Sequence, residues 1–286
     1  MSSTEMTPGE YISHHLINFT QKSPEYQTNM VDFSFINLDT LFFSILLGII
    51  ISLVMWRAAR NMKADVPTRF QAAIELLIEF VDGLCKDMVH NSNSRKVIAP
   101  LGLTVFLWIL FMNALDLLPV DLLPWAWQHA TGDHHAYLRV VPTADLNTTM
   151  AMAISVLVLC FIYNIKIKGL GGWVHELFSA PFGNKVWLYI PNFLMNVIEF
   201  FSKTLSHGMR LFGNMYAGEV LFMVIALLGG AWGLSGSAGV SDVVLFLLQL
   251  VAGSAWAIFH ILVIALQAYL FMVLTFVYLG QAHDSH

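Results

Sequence analysis

From Val243 to Leu279 the chain contains no aspartate, glutamate, lysine or arginine, and this stretch constrains the fold more than any other feature. A run that long and apolar reads as membrane-embedded helix, because hydrocarbon admits only structures that satisfy every backbone group internally. Further apolar runs cover about Leu38 to Trp56, Val97 to Leu118, Leu146 to Ile165 and Trp187 to Leu228. The first three of these suit the ~20 residues needed to cross a hydrocarbon layer of ~30 Å. The run from Trp187 and the run from Val243 are different: as helices each is roughly 60 Å long, about twice that thickness. Ordinary tilts near 20° absorb little of the excess. The expectation is a long, steeply tilted hairpin with bends near Pro191 and Gly213 and a Gly/Ser-rich turn from Gly229 to Gly239. The predicted fold is all-α, with five membrane-embedded helices in a single membrane domain over 38–286, after a polar tail over 1–37.

Charge supports this reading and sets the orientation. Only 12% of residues are charged and 57% are hydrophobic, whereas soluble domains carry about a quarter charged residues. The net charge of −5 excludes the basic surface that a nucleic-acid partner needs. Arg57, Arg60, Lys63 and Arg69 follow the first run, Arg95 and Lys96 precede the second, and Lys166 and Lys168 follow the third. Basic residues collect on the cytoplasmic side, which predicts an N-terminus outside and a C-terminus inside. The tail over 1–37 lacks the basic, apolar and small-residue pattern of a signal peptide. After Pro67, apolar residues at helical spacing (Ile74, Leu77, Ile78, Val81, Leu84, Met88) face Glu75, Glu79, Asp82 and Lys86. That pattern predicts an amphipathic helix on the cytoplasmic membrane surface or against a partner helix. An external loop holds His129, Asp133, His134, His135 and Arg139.

Polar residues inside the apolar runs carry the functional signal, since a charge at membrane depth costs on the order of 3 kcal/mol. At about 100° per residue, Asn192, Asn196, Glu199, Lys203, His207, Arg210 and Asn214 share one helix face about 80° wide. Glu219 falls on the opposite side, about 180° from Arg210, too far for a salt bridge within the helix. On the last run Gln249, His260, Gln267 and Tyr278 form a second polar face. Glutamate and histidine exchange protons, amides orient water, and a permanently charged arginine blocks leakage. Bland readings stand beside these: membrane amides often only join helices, and Glu199 with Lys203 is an ordinary i,i+4 pair. Arg210 has no carboxylate three or four residues away, so a structural role explains it least well.

Other apparent motifs carry little. Cys85 and Cys160 make neither a disulfide framework nor a metal site. His14-His15 and His134-His135 read as incidental pairs, and His175-Glu176 lacks the second histidine of a zinc-protease helix. There is no phosphate-binding loop, so the chain does not itself handle ATP. A proton-coupled secondary transporter is the main alternative, but the repeat symmetry expected of one is absent from the sequence. A membrane-embedded hydrolase lacks its nucleophile and base.

Two stretches carry a resemblance. Ser206-His-Gly-Met-Arg210-Leu-Phe-Gly-Asn214-Met-Tyr-Ala-Gly-Glu219 and Trp256-Ala-Ile-Phe-His260-Ile-Leu-Val-Ile-Ala-Leu-Gln267 resemble the signature of subunit a of F-type ATP synthases. Asn113-Ala-Leu-Asp116-Leu-Leu-Pro119, Arg139-Val-Val-Pro142-Thr-Ala-Asp145 and Tyr11-Ile-Ser-His14-His15-Leu look like other parts of that subunit in proteobacteria. The resemblance implies a proton-conducting subunit of a bacterial inner membrane, not catalytic alone and without cofactors. Its partners would be the c-subunit ring, the b subunits of the peripheral stalk, the remaining subunits and membrane lipid. By position, Arg210 would face the carboxylates of the ring as the barrier between two half-channels. Glu219, His260, Asn214 and Gln267 would form the periplasmic path, with Asp116 and Asn113 near its mouth. Glu199, with Ser202 and Lys203, would form the cytoplasmic path. The chain departs from the family at Thr204, where proline is common, and at His207, where an apolar residue is common.

Overall fold

A computed structural model describes residues 9, 12, 16–20, 36–63, 66–119, 122–132, 138–234 and 240–283. The described secondary structure is helical apart from one isolated bridge between Thr20 and Asn37. Helix α1 spans Leu38–Arg60, α2 Arg69–Met88, α3 Ser92–Ala114, α4 Leu122–Thr131, α5 Leu146–Ser179, α6 Tyr189–Leu234 and α7 Val240–Gln281. Short 3₁₀ turns at Leu115–Leu117, Pro142–Ala144 and Val186–Leu188 link them. Five helical stretches are long and apolar enough to cross a membrane: Leu38–Arg60, Ser92–Leu117, Leu146–Ser179, Val186–Leu228 and Val243–Gln281. Their outward residues are apolar (Val54, Val251, Ile258 and Leu262 are exposed), while Asn113, Glu219 and His260 are buried. That inversion suits a chain whose solvent is lipid.

The expected α2 is present. Thr68 caps it, its hydroxyl accepting from the Gln71 N–H at 3.2 Å, which satisfies one of the orphan donors of a first turn. Ile74, Val81 and Cys85 form its buried face, while Phe70 and Leu76 are exposed. Two helical segments were not expected. Leu122–Thr131 forms α4 instead of continuing as loop after the second span, and α5 runs beyond Ile165 to Ser179. A kink at Gly169 (φ 73°, ψ 160°) divides α5. Only glycine takes that backbone readily, so the chain changes direction there and forms another short helix.

The 46 residues of α6 and the 42 of α7 make helices roughly 60–70 Å long. Pro191 stands in the first turn of α6, where its missing N–H costs nothing. Helix continues through Gly213, so the excess length of the run is not relieved by a break. The tip of the hairpin at 235–239 lies outside the described residues, as do Asp121, His14-His15 and His134-His135.

The chain packs as two compact units. The first contains Met1–Ile49, Leu110–Asp145 and Phe212–Leu266; the second contains Ile50–Ile109, Leu146–Leu211 and Gln267–His286. In the first, the Asp39 carboxylate accepts from the N–H groups of Phe19 (2.8 Å), Thr40 (2.7 Å) and Arg139 (3.0 Å). Asn37 donates to Asp145 at 2.6 Å. The segment leading into α5 is thereby tied to the start of α1. Phe222 meets Trp256 and His260 edge-on, so α6 lies along α7 there.

In the second unit the same two helices pack through His207 and Phe271, whose ring centroids are 3.8 Å apart. Asn192 donates to the carbonyls of Phe178 (2.8 Å) and Gly183 (3.2 Å), and Asn196 to those of Leu177 (3.0 Å) and Ala180 (2.9 Å). These amides cap carbonyls left open at the end of α5. For them, the bland reading of membrane amides as helix glue holds.

Candidate functional site

Two polar constellations lie in these units, one in each. In the first unit α3 ends by tightening into the 3₁₀ turn Leu115–Leu117 before Pro119, as helix ends commonly do. Asn113 and Asp116, at that end, are both buried. Asn113 accepts from the Thr143 hydroxyl at 2.7 Å, while its amide nitrogen has no hydrogen-bond partner. Thr143 is held by the turn that Pro142 opens.

His260 of α7 is fully buried, and its Nε2 lies 2.6 Å from an Asp116 carboxylate oxygen. The separation is that of a pair, yet the approach is poorly directed and neither atom has a well-formed hydrogen bond. We read it as a close electrostatic contact that strengthens when the imidazole takes a proton. Gly218 of α6 makes room for that ring, since a Cβ at this position would run into the imidazole.

Glu219 is one residue further along α6 and is also buried. Its partner is Arg139: Nη2 lies 2.5 Å from Oε2, and Nε lies 3.2 Å and 3.3 Å from the two carboxylate oxygens. This is a charge-assisted fork. The guanidinium also lies 5.6 Å over the Tyr216 ring. Beside the pair is a small cavity of about 40 Å³, lined by Asp116, Leu118, Arg139, Val141 and Glu219 among others. That volume admits a few waters at most.

Sequence reasoning placed Arg139 only in a loop and gave it no role. One signal was available: a basic residue on the predicted outer side runs against the usual charge bias and calls for a buried partner.

The second unit holds the other group. Glu199 and Ser202 are exposed on α6, and Lys203 is partly covered. Lys203 Nζ lies 2.5 Å from Glu199 Oε1, donates to Gln281 at 2.8 Å, and sits 5.6 Å over the Tyr278 ring. These groups line a cavity of about 320 Å³ together with Asn164, Lys168, Glu176 and His207. Lys168 and Glu176 form their own ion pair at 2.7 Å, across the Gly169 kink. A cavity this size has room for several waters, with polar partners on its walls.

Arg210 is exposed on α6, next to the helix face that lines this cavity. Asn214 is also exposed on α6, and Gln267 is buried on α7 in the second unit. The structure therefore gathers Asn113, Asp116, Glu219 and His260 in one unit, with Arg139 added, and Glu199 and Lys203 in the other. Asn214 belongs to the first unit and Gln267 to the second.

Comparison with known proteins gives a consistent result. The family described as ATP synthase A chain matches residues 41–280. A protein of Acidovorax sp. (strain JS42) described as ATP synthase subunit a is 58% identical over 289 residues, covering 98% of this chain and 97% of the relative. Proteins of the same description from Paracidovorax citrulli (strain AAC00-1) and Verminephrobacter eiseniae (strain EF01-2) are 55% and 54% identical, again covering 98% of this chain and 97% of each relative.

Proposed function

Because this chain belongs to the ATP synthase A chain family, we propose that it is the proton-translocating stator subunit of an F-type ATP synthase membrane sector. It is a multi-pass inner-membrane protein of that complex. Family membership sets the secondary-transporter reading aside. In this reading the chain performs no chemistry on ATP and works against a rotating ring of c subunits, anchored by the b subunits of the peripheral stalk and the remaining subunits. Residues 1–37 face the periplasm, 38–286 form one membrane domain, and the C-terminus is cytoplasmic.

The observation that carries the site assignment is the order of groups along one continuous helix. Helix α6 carries Glu199 and Lys203, then Arg210, then Glu219. The first pair lines a roomy polar cavity and Glu219 sits in a tight ionic cluster. A proton entering from the periplasm uses Asp116, His260 and Glu219, with Asn113, Asn214 and Gln267 orienting water. It neutralises a ring carboxylate, which then rotates through lipid without carrying a charge, whose cost there is on the order of 3 kcal/mol. When that acid meets Arg210 the guanidinium favours its ionised form, and the proton leaves past Glu199, Ser202 and Lys203. Arg210 keeps its charge throughout, so it repels protons that would pass straight between the two paths. Such a leak would dissipate about 2.3 kcal/mol per proton for each 100 mV across the membrane.

Membrane vesicles carrying Arg210→Ala test this. ATP-driven proton pumping should vanish with normal assembly, and a passive proton leak should appear once the catalytic sector is stripped away. Pumping at the unaltered rate would return Arg210 to a structural role and sink the mechanism.

A further inference from the structure

Resting on this reading, we propose that His207 is a proton-relay residue of the exit path, bridging the ring-facing level of Arg210 and the water-accessible cavity that holds Glu199. The α6 residues that line the cavity of about 320 Å³ are Asn196, Glu199, Phe200, Lys203, Thr204 and His207. Their spacing of three and four residues makes one stripe about 16 Å long on the helix. His207 is its last member, and Arg210 follows three residues later, a rise of about 4.5 Å. Without His207, the next protonatable carboxylate on this helix back from Arg210 is Glu199, about 16 Å away along the axis.

The second observation is the state of the imidazole. His207 is only 3% exposed, yet it borders the cavity, and its Nε2 is buried with no hydrogen-bond partner. Phe271, tilted 37° at 3.8 Å between ring centroids, and Tyr278, edge-on at 5.6 Å, hold the ring in place. Packing alone does not account for histidine at this position. A leucine or phenylalanine would fill the same volume without leaving a buried nitrogen unsatisfied. The unpartnered ring nitrogen belongs to a residue that lines the polar cavity.

The step conserves charge. The neutral imidazole's free lone pair takes the proton released by the ring acid, which is left as a carboxylate facing Arg210. The new N–H bond then breaks toward cavity water, and the proton passes to the Glu199 carboxylate and out. The aromatic faces of Phe271 and Tyr278 favour a cation during transit. Arg210 and Lys203 on the same helix repel it, so the proton moves on. From α5, the Lys168–Glu176 pair and Cys160 border the same space.

The test uses vesicles containing the assembled complex, stripped of the catalytic sector, with passive proton flux driven by a fixed potassium diffusion potential. His207→Gln, His207→Leu and His207→Glu are compared with the unaltered protein and with Arg210→Ala. The Gln and Leu variants should conduct about five-fold more slowly, since water replaces a positioned relay imperfectly, and their dependence on exit-side pH should flatten. The Glu variant should recover flux with a pH profile different from that of the unaltered protein. Unaltered flux and profile in Gln and Leu overturn the proposal, as does slow flux with an unchanged profile. If Gln and Leu fail to assemble, the unaltered complex and the Glu variant decide: identical pH profiles of flux in the two reject the relay. A normal Arg210→Ala complex would indict the underlying reading; loss of coupling there with normal His207 variants would indict only the relay.

Discussion

Two ion pairs on α6 use similar chemistry in opposite surroundings. Arg139 and Glu219 in the first unit have side chains 7% and 11% exposed, joined by a fork beside a cavity of about 40 Å³. Lys203 and Glu199 in the second unit are 30% and 54% exposed beside about 320 Å³. Burial changes what a pair is worth. A desolvated pair holds both charges tightly and penalises loss of either partner, whereas a hydrated pair contributes little and exchanges partners freely. On the proposed function, one path would hold protons among fixed charges, and the other would hand them to water.

The largest expected effect attacks the dry pair. Glu219→Leu leaves Arg139 buried without its counter-charge and should cost about 3–5 kcal/mol, read as depleted subunit in membranes and lost pumping. Adding Arg139→Met should restore assembly but not pumping. Normal assembly of the single variant would break the contrast between the two pairs.

Gly218→Ala comes next. The added methyl meets the His260 ring, and overpacking of this kind costs about 1–3 kcal/mol. ATP-driven pumping should fall as His260 is pushed from Asp116; full activity would show that the contact is dispensable.

On the hydrated side, Lys203→Ala should change stability by no more than about 1 kcal/mol, measured as retention of the subunit in the complex during mild detergent challenge. A loss as large as that of Glu219→Leu would erase the distinction.

The smallest effect concerns Cys85 on α2, in the same unit as the large cavity but packed away from it. Burial pushes its thiol from 9.0 up to about 11. The folded chain therefore holds this proton more tightly than the unfolded one. Its contribution to stability is intact below pH 9.0 and declines as pH rises toward about 11. Maleimide labelling of Cys85 near neutral pH should be slow in the folded complex and rapid after denaturation. Fast labelling in the folded state would mean that water reaches well beyond the cavity.

Much of this protein was legible residue by residue. Hydropathy located the five spanning stretches, and the amphipathic spacing after Pro67 located α2, because both signals lie within a few turns of chain. The polar stripe from Asn192 to Asn214 was also legible, since helical periodicity alone sets which residues share a face. Its members' partners were not. Asn192 and Asn196 proved to cap the end of α5, whereas Lys203 and His207 border a cavity. Helix α4 was missed because a short segment with Pro124 near its start and histidine at its end has the composition of a loop. The Gly169 kink was missed because positive φ leaves no mark beyond the glycine itself.

The sequence by itself determined that this is a helical membrane protein with costly polar residues in its apolar runs, and that Arg210 and Glu219 occupy opposite faces of a helix. Those properties follow from transfer free energy and from a fixed turn angle, which act locally. Only the tertiary structure decided that Glu219 pairs with Arg139, that Asp116 meets His260, and that Glu199 and His207 border one cavity. Each of these contacts joins groups that are close only after distant segments have packed, and burial, which sets the strength of every charge interaction here, exists only once they have.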